Sequence, residues 1–581
     1  MKISTQQLVS RVKSVAFVSL LAASAHLTAG TFYVRPVGDA TSWSALTGIT
    51  PEQIITSDAP EIVSTDTYYF AKGTYVLTAT AIDPVTTLPT PIAPKLTTGL
   101  IYGGFSGLET TIDLAQRALS DKDGNGIVEP WEFTNETIFK GAVPANDITG
   151  SAKRMLTVTG GEVNGVTFFD FYYFGDLLPT AVAYPGAIIL GVVSTFPALA
   201  DDVVEKAGKM ICCTVRKIKA GGMGPIMLTN QYSLVDKCLF EECSTEGLNP
   251  NGGGGAIYTN NLGGKIKNSV LRNNLAKFGG SNSGRGGAIW AGTNTLINPE
   301  NNTIVENCLI YNNTAAGYGG ALRFDGVANK RGIEVINCTM ANNLTQASGA
   351  GLASVELIQS GLIANSIVVG DTKGEIRFHA ANNFAASNIV GELVGMAASP
   401  GTDMVSGKLV ADLGFKSPTS FNGNIGSPGD DFFDQASYDE IRKANFTINS
   451  ATSPAVTTAA LNSLPTEYTV NAALLIPYTT VPTTDLMGVS RTGGAYSRTI
   501  GAYQFTGATA VKQINDSELN AYAGDGGIVV NNLSGKVLSL FSVSGQLIKT
   551  ISIESNQMTI PANKGFYLVS VANKVAKIVV R

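Results

Sequence analysis

The chain has 581 residues, with 64 glycines, 15% charged and 44% hydrophobic side chains. That length excludes one ordinary globular core as the whole answer, whereas a solenoid grows by adding rungs. A formal net charge of −5 supplies no basic surface, so nucleic acid is not an expected partner.

At the start of the chain, Lys2, Arg11 and Lys13 precede an apolar run from Val15 to Ala23. Ala23-Ser24-Ala25 and Leu27-Thr28-Ala29 both satisfy the small-residue cleavage rule, which predicts a signal peptide over 1–29 and an exported protein. The run is short for a membrane span, and no cysteine sits near the cleavage site to carry a lipid. Short β-branched and aromatic segments separated by glycine follow: Thr31 to Val34, Tyr68 to Tyr75 and Gly99 to Gly107. They read as strands with tight turns.

The stretch from Asp121 to Glu132 has the grammar of a twelve-residue calcium loop. Asp121, Asp123, Asn125, Glu129 and Glu132 hold loop positions 1, 3, 5, 9 and 12. Ile127 offers a backbone carbonyl at position 7, and Gly126 takes the sharp turn. Hard Ca2+ wants such an oxygen cage, so Ca2+ is the expected cofactor, at roughly 10⁻⁴–10⁻³ M for an extracellular site. Pro130 shortens any exiting helix, which favours a lone inserted loop over a paired sensor.

From Cys238 to Ser366 one phrase recurs at a period of roughly 30 residues. Asn268-Ser269-Val270-Leu271-Arg272-Asn273-Asn274 returns as Asn307 to Asn313 and as Asn337 to Asn343. Gly254-Gly255-Ala256-Ile257 returns at Gly286 and Gly319. Such repeats mean stacked β units that cannot bury their apolar face alone. Cys238, Ser269, Cys308, Cys338 and Ser366 occupy one repeat position, which favours a buried stack of free small side chains over disulfides. The asparagine pairs suit left-handed turns and hydrogen-bonded ladders. Tyr258, Trp290, Tyr318 and Phe324 lie near the glycine turns and are the candidates for an exposed sugar-stacking strip.

No catalytic residue is nominated. Only His26 and His379 exist, which argues against a histidine metal site or a serine triad. Glu306, Arg323, Asp325 and Glu334 are the charged residues of the repeat face, and a solvated face accounts for them. Beyond residue 507, Lys536 to Phe541, Gln546 to Ile551, Gly565 to Val571 and Lys577 to Arg581 alternate as strands of a small antiparallel sandwich.

Several of these segments, in order, resemble a known group. Ala71-Lys72-Gly73-Thr74-Tyr75, Tyr102 to Glu109 and Thr137 to Gly141 resemble elements of the right-handed parallel β-helix surface proteins of Bacteroidetes-type bacteria, with choice-of-anchor-type repeats. Ser453-Pro454-Ala455, Asp485 to Arg491 and Ile500 to Tyr503 resemble that group's closing rungs, with Gln504 where the group has Glu. The Gly-Gly-Ala-Ile and Asn-Asn phrases resemble repeats of polymorphic outer-membrane proteins, with Leu-x-Asn-Asn for Phe-x-x-Asn. Ser544-Gly545-Gln546-Leu547, Lys564 to Val571 and Lys577 to Arg581 resemble the type A C-terminal sorting domain of type IX secretion.

The resemblance implies an all-β chain: a right-handed parallel β-helix over 30–506 with the EF-hand-like loop inserted at 121–132, then a sorting β-sandwich over 507–581. It also implies the type IX secretion machinery and surface lipopolysaccharide as partners, and attachment to the outer membrane on the extracellular side. The expected function is an adhesin or a glycan- or matrix-binding protein. The alternatives are a polysaccharide lyase or glycoside hydrolase on the same scaffold, or a structural surface component.

Overall fold

The computed structural model describes residues 29–82, 89–141, 154–173, 186–192, 202–247, 252–260, 262–278, 284–292, 303–326, 332–348, 352–380, 383–394, 404–426, 433–462, 468–471, 474–476, 481–492, 498–506, 521–524, 527–531, 537–542, 547–555, 557–562, 565–571 and 574–580. Residues 1–28 of the expected signal peptide and the Ser544-Gly545 turn lie outside them.

The first unit, which ends at Phe505, is a parallel β-helix. Its three long sheets are designated I, II and III. Sheet I has twelve strands, sheet II fourteen and sheet III ten. One rung shows the path: Gly264–Lys267 in sheet I, Val270–Arg272 and Leu275–Phe278 in sheet II, Ile289–Gly292 in sheet III, then Thr303–Glu306 back in sheet I. Each strand pairs with its equivalent one rung away, in parallel and in register.

Register and the two-residue side-chain period decide what is inside. Val235, Ile266, Val305, Val335 and Ile363 stack inward from sheet I. Phe240, Leu271, Ile310, Met340 and Val368 do so from sheet II. Ile257, Ile289, Leu322, Val355 and Ile376 complete the core from sheet III.

The repeated asparagines divide into two jobs. The first residue of each pair sits in the left-handed region, at φ 53° for Asn273, 52° for Asn312 and 54° for Asn342, where asparagine is among the best-tolerated side chains. The second points inward and builds a ladder: Asn274 Nδ2 donates to Asn313 Oδ1 at 2.8 Å, and Asn313 Nδ2 donates to Asn343 Oδ1 at 2.9 Å. The glycine phrase is equally forced. A Cβ at Gly255 would lie 2.0 Å from the carbonyl oxygen of Gly287, and one at Gly287 would lie 2.0 Å from that of Gly320.

All six cysteines are free, and all but Cys212 are buried. Cys238 and Cys338 lie in the small-residue stack, where their amides donate to Ser269 Oγ and Ser366 Oγ at 3.1 Å. Burial pushes the Cys212 thiol up to about 11, so alkylation of the native protein at alkaline pH, read by mass spectrometry, is expected to label Cys212 slowly and to leave the other five unmodified until denaturant is added.

The closing-rung expectation fails for 404–506. Apart from a bridge between Val405 and Ile389, the described part of this segment does not extend the helical sheets. It runs over the outside as a strap. Leu413, Phe415, Ile441, Phe446, Leu486 and Ile500 pack on Val270, Leu309, Tyr311 and Ile367, outward residues of sheet II. The left-handed asparagines hold it: Asn342 Nδ2 donates to Thr419 O, Asn312 Nδ2 to Phe421 O and Asn273 Nδ2 to Gly426 O, at 2.7 to 3.0 Å. The cause is legible in the later strands of sheet II, such as Leu309–Tyr311 and Ile367–Val369, which are apolar at both parities and so bury both faces.

Near the last rungs Asp371 and Glu375 are buried, and burial pushes both carboxyls up to about 7. The unfolded chain then releases these protons first as pH rises, so stability falls between about pH 4 and pH 7. Asp371→Asn is expected to raise the melting temperature at pH 8 and to give no gain near pH 4, measured by calorimetry at both pH values.

The second unit, from Thr506 onward, contains two antiparallel sheets. Ala521–Gly524, Gly527–Asn531 and Gln557–Pro561 form one. Leu547–Ser552, Val537–Ser542, Gly565–Val571 and Lys574–Val580 form the other. Ile528, Val530, Leu538, Leu540, Ile560, Val569 and Ile578 share one core between them.

Candidate metal loop and the charged face of sheet III

The loop from Asp121 to Glu132 is closed at its neck by antiparallel pairing of Leu119 with Phe133, and by Ser120 N donating to Glu132 O at 3.0 Å. No helix flanks it. Gly124 and Gly126 take φ of +79° and +82°, which turn the chain so that its amides face the carboxylates. Asp121 accepts from Gly124 N at 2.7 Å and Gly126 N at 3.0 Å, and Asp123 Oδ1 accepts from Asn125 N at 3.0 Å. Glu132 reaches back: its Oε1 accepts from Lys122 N at 2.8 Å and its Oε2 from Glu129 N at 2.9 Å.

Carboxylate oxygens of Asp121, Asp123 and Glu132 lie within 4.8 Å of one another. Asn125 Oδ1 accepts from Ile127 N at 2.7 Å, and its Nδ2 donates to Glu129 Oε1 at 2.8 Å. Glu129 is 2% exposed and its Oε2 has no hydrogen-bond partner. Burial, with the Asp123 charge next, pushes its carboxyl up to about 9.

The sequence marks these positions but not what fastens them. Arg272, 149 residues further on, reaches Asp123 Oδ2 at 2.7 Å and Glu241 Oε2 at 2.8 Å. Trp131 and the half-buried Ile127 join the apolar cluster beneath the strap, whereas Val128 is 49% exposed.

The aromatic strip is not formed. Phe324 points into the helix core, two residues after the inward Leu322. Tyr258 and Trp290 stand on the outer side of sheet III but are buried against each other, ring centroids 4.7 Å apart, with Ile189 and Met227. Tyr318 alone is open, at 37%, and its ring lies under the Arg323 guanidinium at 4.6 Å.

Nor do the four repeat-face charges share a groove. Glu306 and Glu334 belong to sheet I, where Glu306 pairs with Lys267 at 3.0 Å. Arg323 and Asp325 belong to sheet III and meet at 2.7 Å. There they join residues the sequence does not single out. Arg323 Nη1 reaches Glu356 Oε2 at 2.8 Å, Arg285 reaches Asp325 at 3.0 Å, and His379 Nε2 lies 3.3 Å from Glu356. Trp290 Nε1 donates to Asp325 Oδ2 at 2.8 Å. Both acids are thus held by guanidinium groups. Glu356 is fully buried beneath this network, whereas Asp325 lies nearer the surface.

One family comparison bears on the chain. A family described as a domain of unknown function, DUF6383, matches residues 508–580, the span of the second unit. No curated protein matches the chain.

Proposed function

We propose that this is an exported, surface-attached β-helix protein that binds a polar partner, a glycan or a matrix component, without turning it over. The observation that carries this reading is the asymmetry of the rungs. From Glu162 onward the connection from sheet I to sheet II keeps to two residues, as in Asn268-Ser269 and Asn307-Cys308, whereas the earlier connection over 106–136 is long and carries the 121–132 loop. The connections bordering sheet III vary, with residues 293–302 after one strand and 358–361 after another. Sheet II is occupied by the strap, so the connections that differ in length from rung to rung border the sheet that carries Arg285, Arg323, Asp325 and Glu356. Variable loops on a rigid scaffold are where recognition is built.

The test is glycan-array binding beside reducing-sugar and unsaturated-product assays on the mature protein. Binding without product, weakened about tenfold or more by Arg323→Ala, is the expected result. Product from any polyuronate overturns it. That outcome favours the second reading, a polysaccharide lyase or hydrolase, for which the contact of Arg323, Asp325, Glu356 and His379 is the specific support. No binding and no turnover would leave a structural surface component.

Residues 507–581 serve, in this reading, as a type A sorting domain for type IX secretion, with attachment to surface lipopolysaccharide. The support is the Ser544 to Leu547, Lys564 to Val571 and Lys577 to Arg581 pattern on an antiparallel β unit. Deleting 507–581 is expected to trap the folded β-helix in the periplasm. Cell fractionation reads this directly, and undiminished surface display of the truncated chain rejects it.

A further inference from the structure

We propose that loop 121–132 binds one Ca2+ and that this ion clamps the strap over sheet II. The first argument is charge. Asp123, Glu129 and Glu132 are buried, with Asp121 beside them at the surface. Arg272 answers Asp123 and is itself shared with Glu241. Among the described residues, no other basic side chain forms an ion pair with a loop carboxylate, although Lys416 and Lys443 lie beside Gly126 and Gly124. A cation among these oxygens lets all of these carboxylates stay ionised in the buried loop.

A second observation is independent of the first. Glu129 Oε2 is buried and unpartnered in a fold where the neighbouring loop oxygens accept from amides or a guanidinium. Oxygen donors with this spacing suit Ca2+, whose coordination tolerates irregular cages, better than Mg2+, which demands a near-ideal octahedron.

The clamp follows from what the loop touches. Asn445 of the strap donates through Nδ2 to Asn125 O at 2.8 Å. Arg272, anchored on Asp123, also donates to Arg442 O at 3.0 Å, and Tyr311 Oη donates to Ile441 O at 2.9 Å. Ile127 and Trp131 pack in the cluster that holds Leu413, Ile441 and Phe446. An ion that fixes the loop therefore fixes the surface on which 435–446 is seated. A ligand that binds the docked form better shifts the equilibrium toward docking.

The test uses the full mature chain with CaCl2, and with MgCl2 as comparator. Calorimetry is expected to give one Ca2+ site in the range of roughly 10⁻⁴–10⁻³ M. Hydrogen exchange read by mass spectrometry should slow about tenfold over 434–446 at ten times the dissociation constant, with 303–345 unchanged. Glu132→Gln should abolish the Ca2+-dependent part. Where that variant fails to accumulate, the exposed Asp121→Asn gives the same readout. Ca2+ binding with unchanged exchange over 434–446 refutes the clamp, and absence of binding at millimolar Ca2+ refutes the site.

Discussion

Arg272→Met is expected to destabilise the β-helix by about 3–5 kcal/mol, the usual cost of removing one partner from a buried charge network. The guanidinium is buried and binds Asp123, Glu241, the Tyr311 hydroxyl and the Arg442 carbonyl. Methionine fills similar volume but leaves two carboxylates facing a low-dielectric interior. The measurement is calorimetric unfolding of the full chain, in which the first transition should move down by several degrees or more. Adding Asp123→Asn and Glu241→Gln to Arg272→Met removes the stranded charges and should recover part of the loss. A neutral Arg272→Met would show that these segments are not joined through this residue.

The second large effect belongs to the ladder. Asn313 accepts from Asn274 N and Nδ2 and donates to the Leu271 and Tyr311 carbonyls and to Asn343 Oδ1. Asn313→Ala strands several buried polar groups at about 1–3 kcal/mol each, so a total loss of about 3 kcal/mol or more is expected. Asn312→Gly is the contrast. Glycine keeps the left-handed turn but gives up the bond to Phe421 O, so the rungs should hold while the strap exchanges faster. Denaturant unfolding of Asn313→Ala and hydrogen exchange of Asn312→Gly read the two separately. Equal behaviour of the two variants would contradict the division between ladder and strap.

The residues that repeat are the ones that could be read. Gly255 and Gly287, Asn274 and Asn313, and Cys308 and Cys338 recur because each rung imposes the same close approach or the same turn, so one period exposes the stack. The strap has no period and, beyond the Val405–Ile389 bridge, its described residues pair with no rung, so Ser453-Pro454-Ala455 and Asp485 to Arg491 could be read as rungs only by resemblance. The outward Val270, Leu309 and Ile367 were the available signal that something covers sheet II. Phe324 was legible too, since simple alternation from Leu322 turns it inward. Tyr258 and Trp290 do point outward, but their burial depends on packing against Ile189 and Met227 from other rungs.

The calcium spacing is local and therefore visible in twelve residues. Its counter-charge is not, because Arg272 reaches Asp123 only after the chain has wound through several intervening rungs. The same limit applies to Asn445 on Asn125, a bond spanning 320 residues.

The most direct measurement is anomalous scattering from crystals of the mature protein grown in millimolar CaCl2. The account predicts one calcium peak enclosed by Asp121, Asp123, Asn125, Glu129 and Glu132 and the Ile127 carbonyl, with 435–446 ordered against the loop. A loop without a calcium peak, with the Lys416 ammonium or solvent among these carboxylates and the strap still seated, would contradict it.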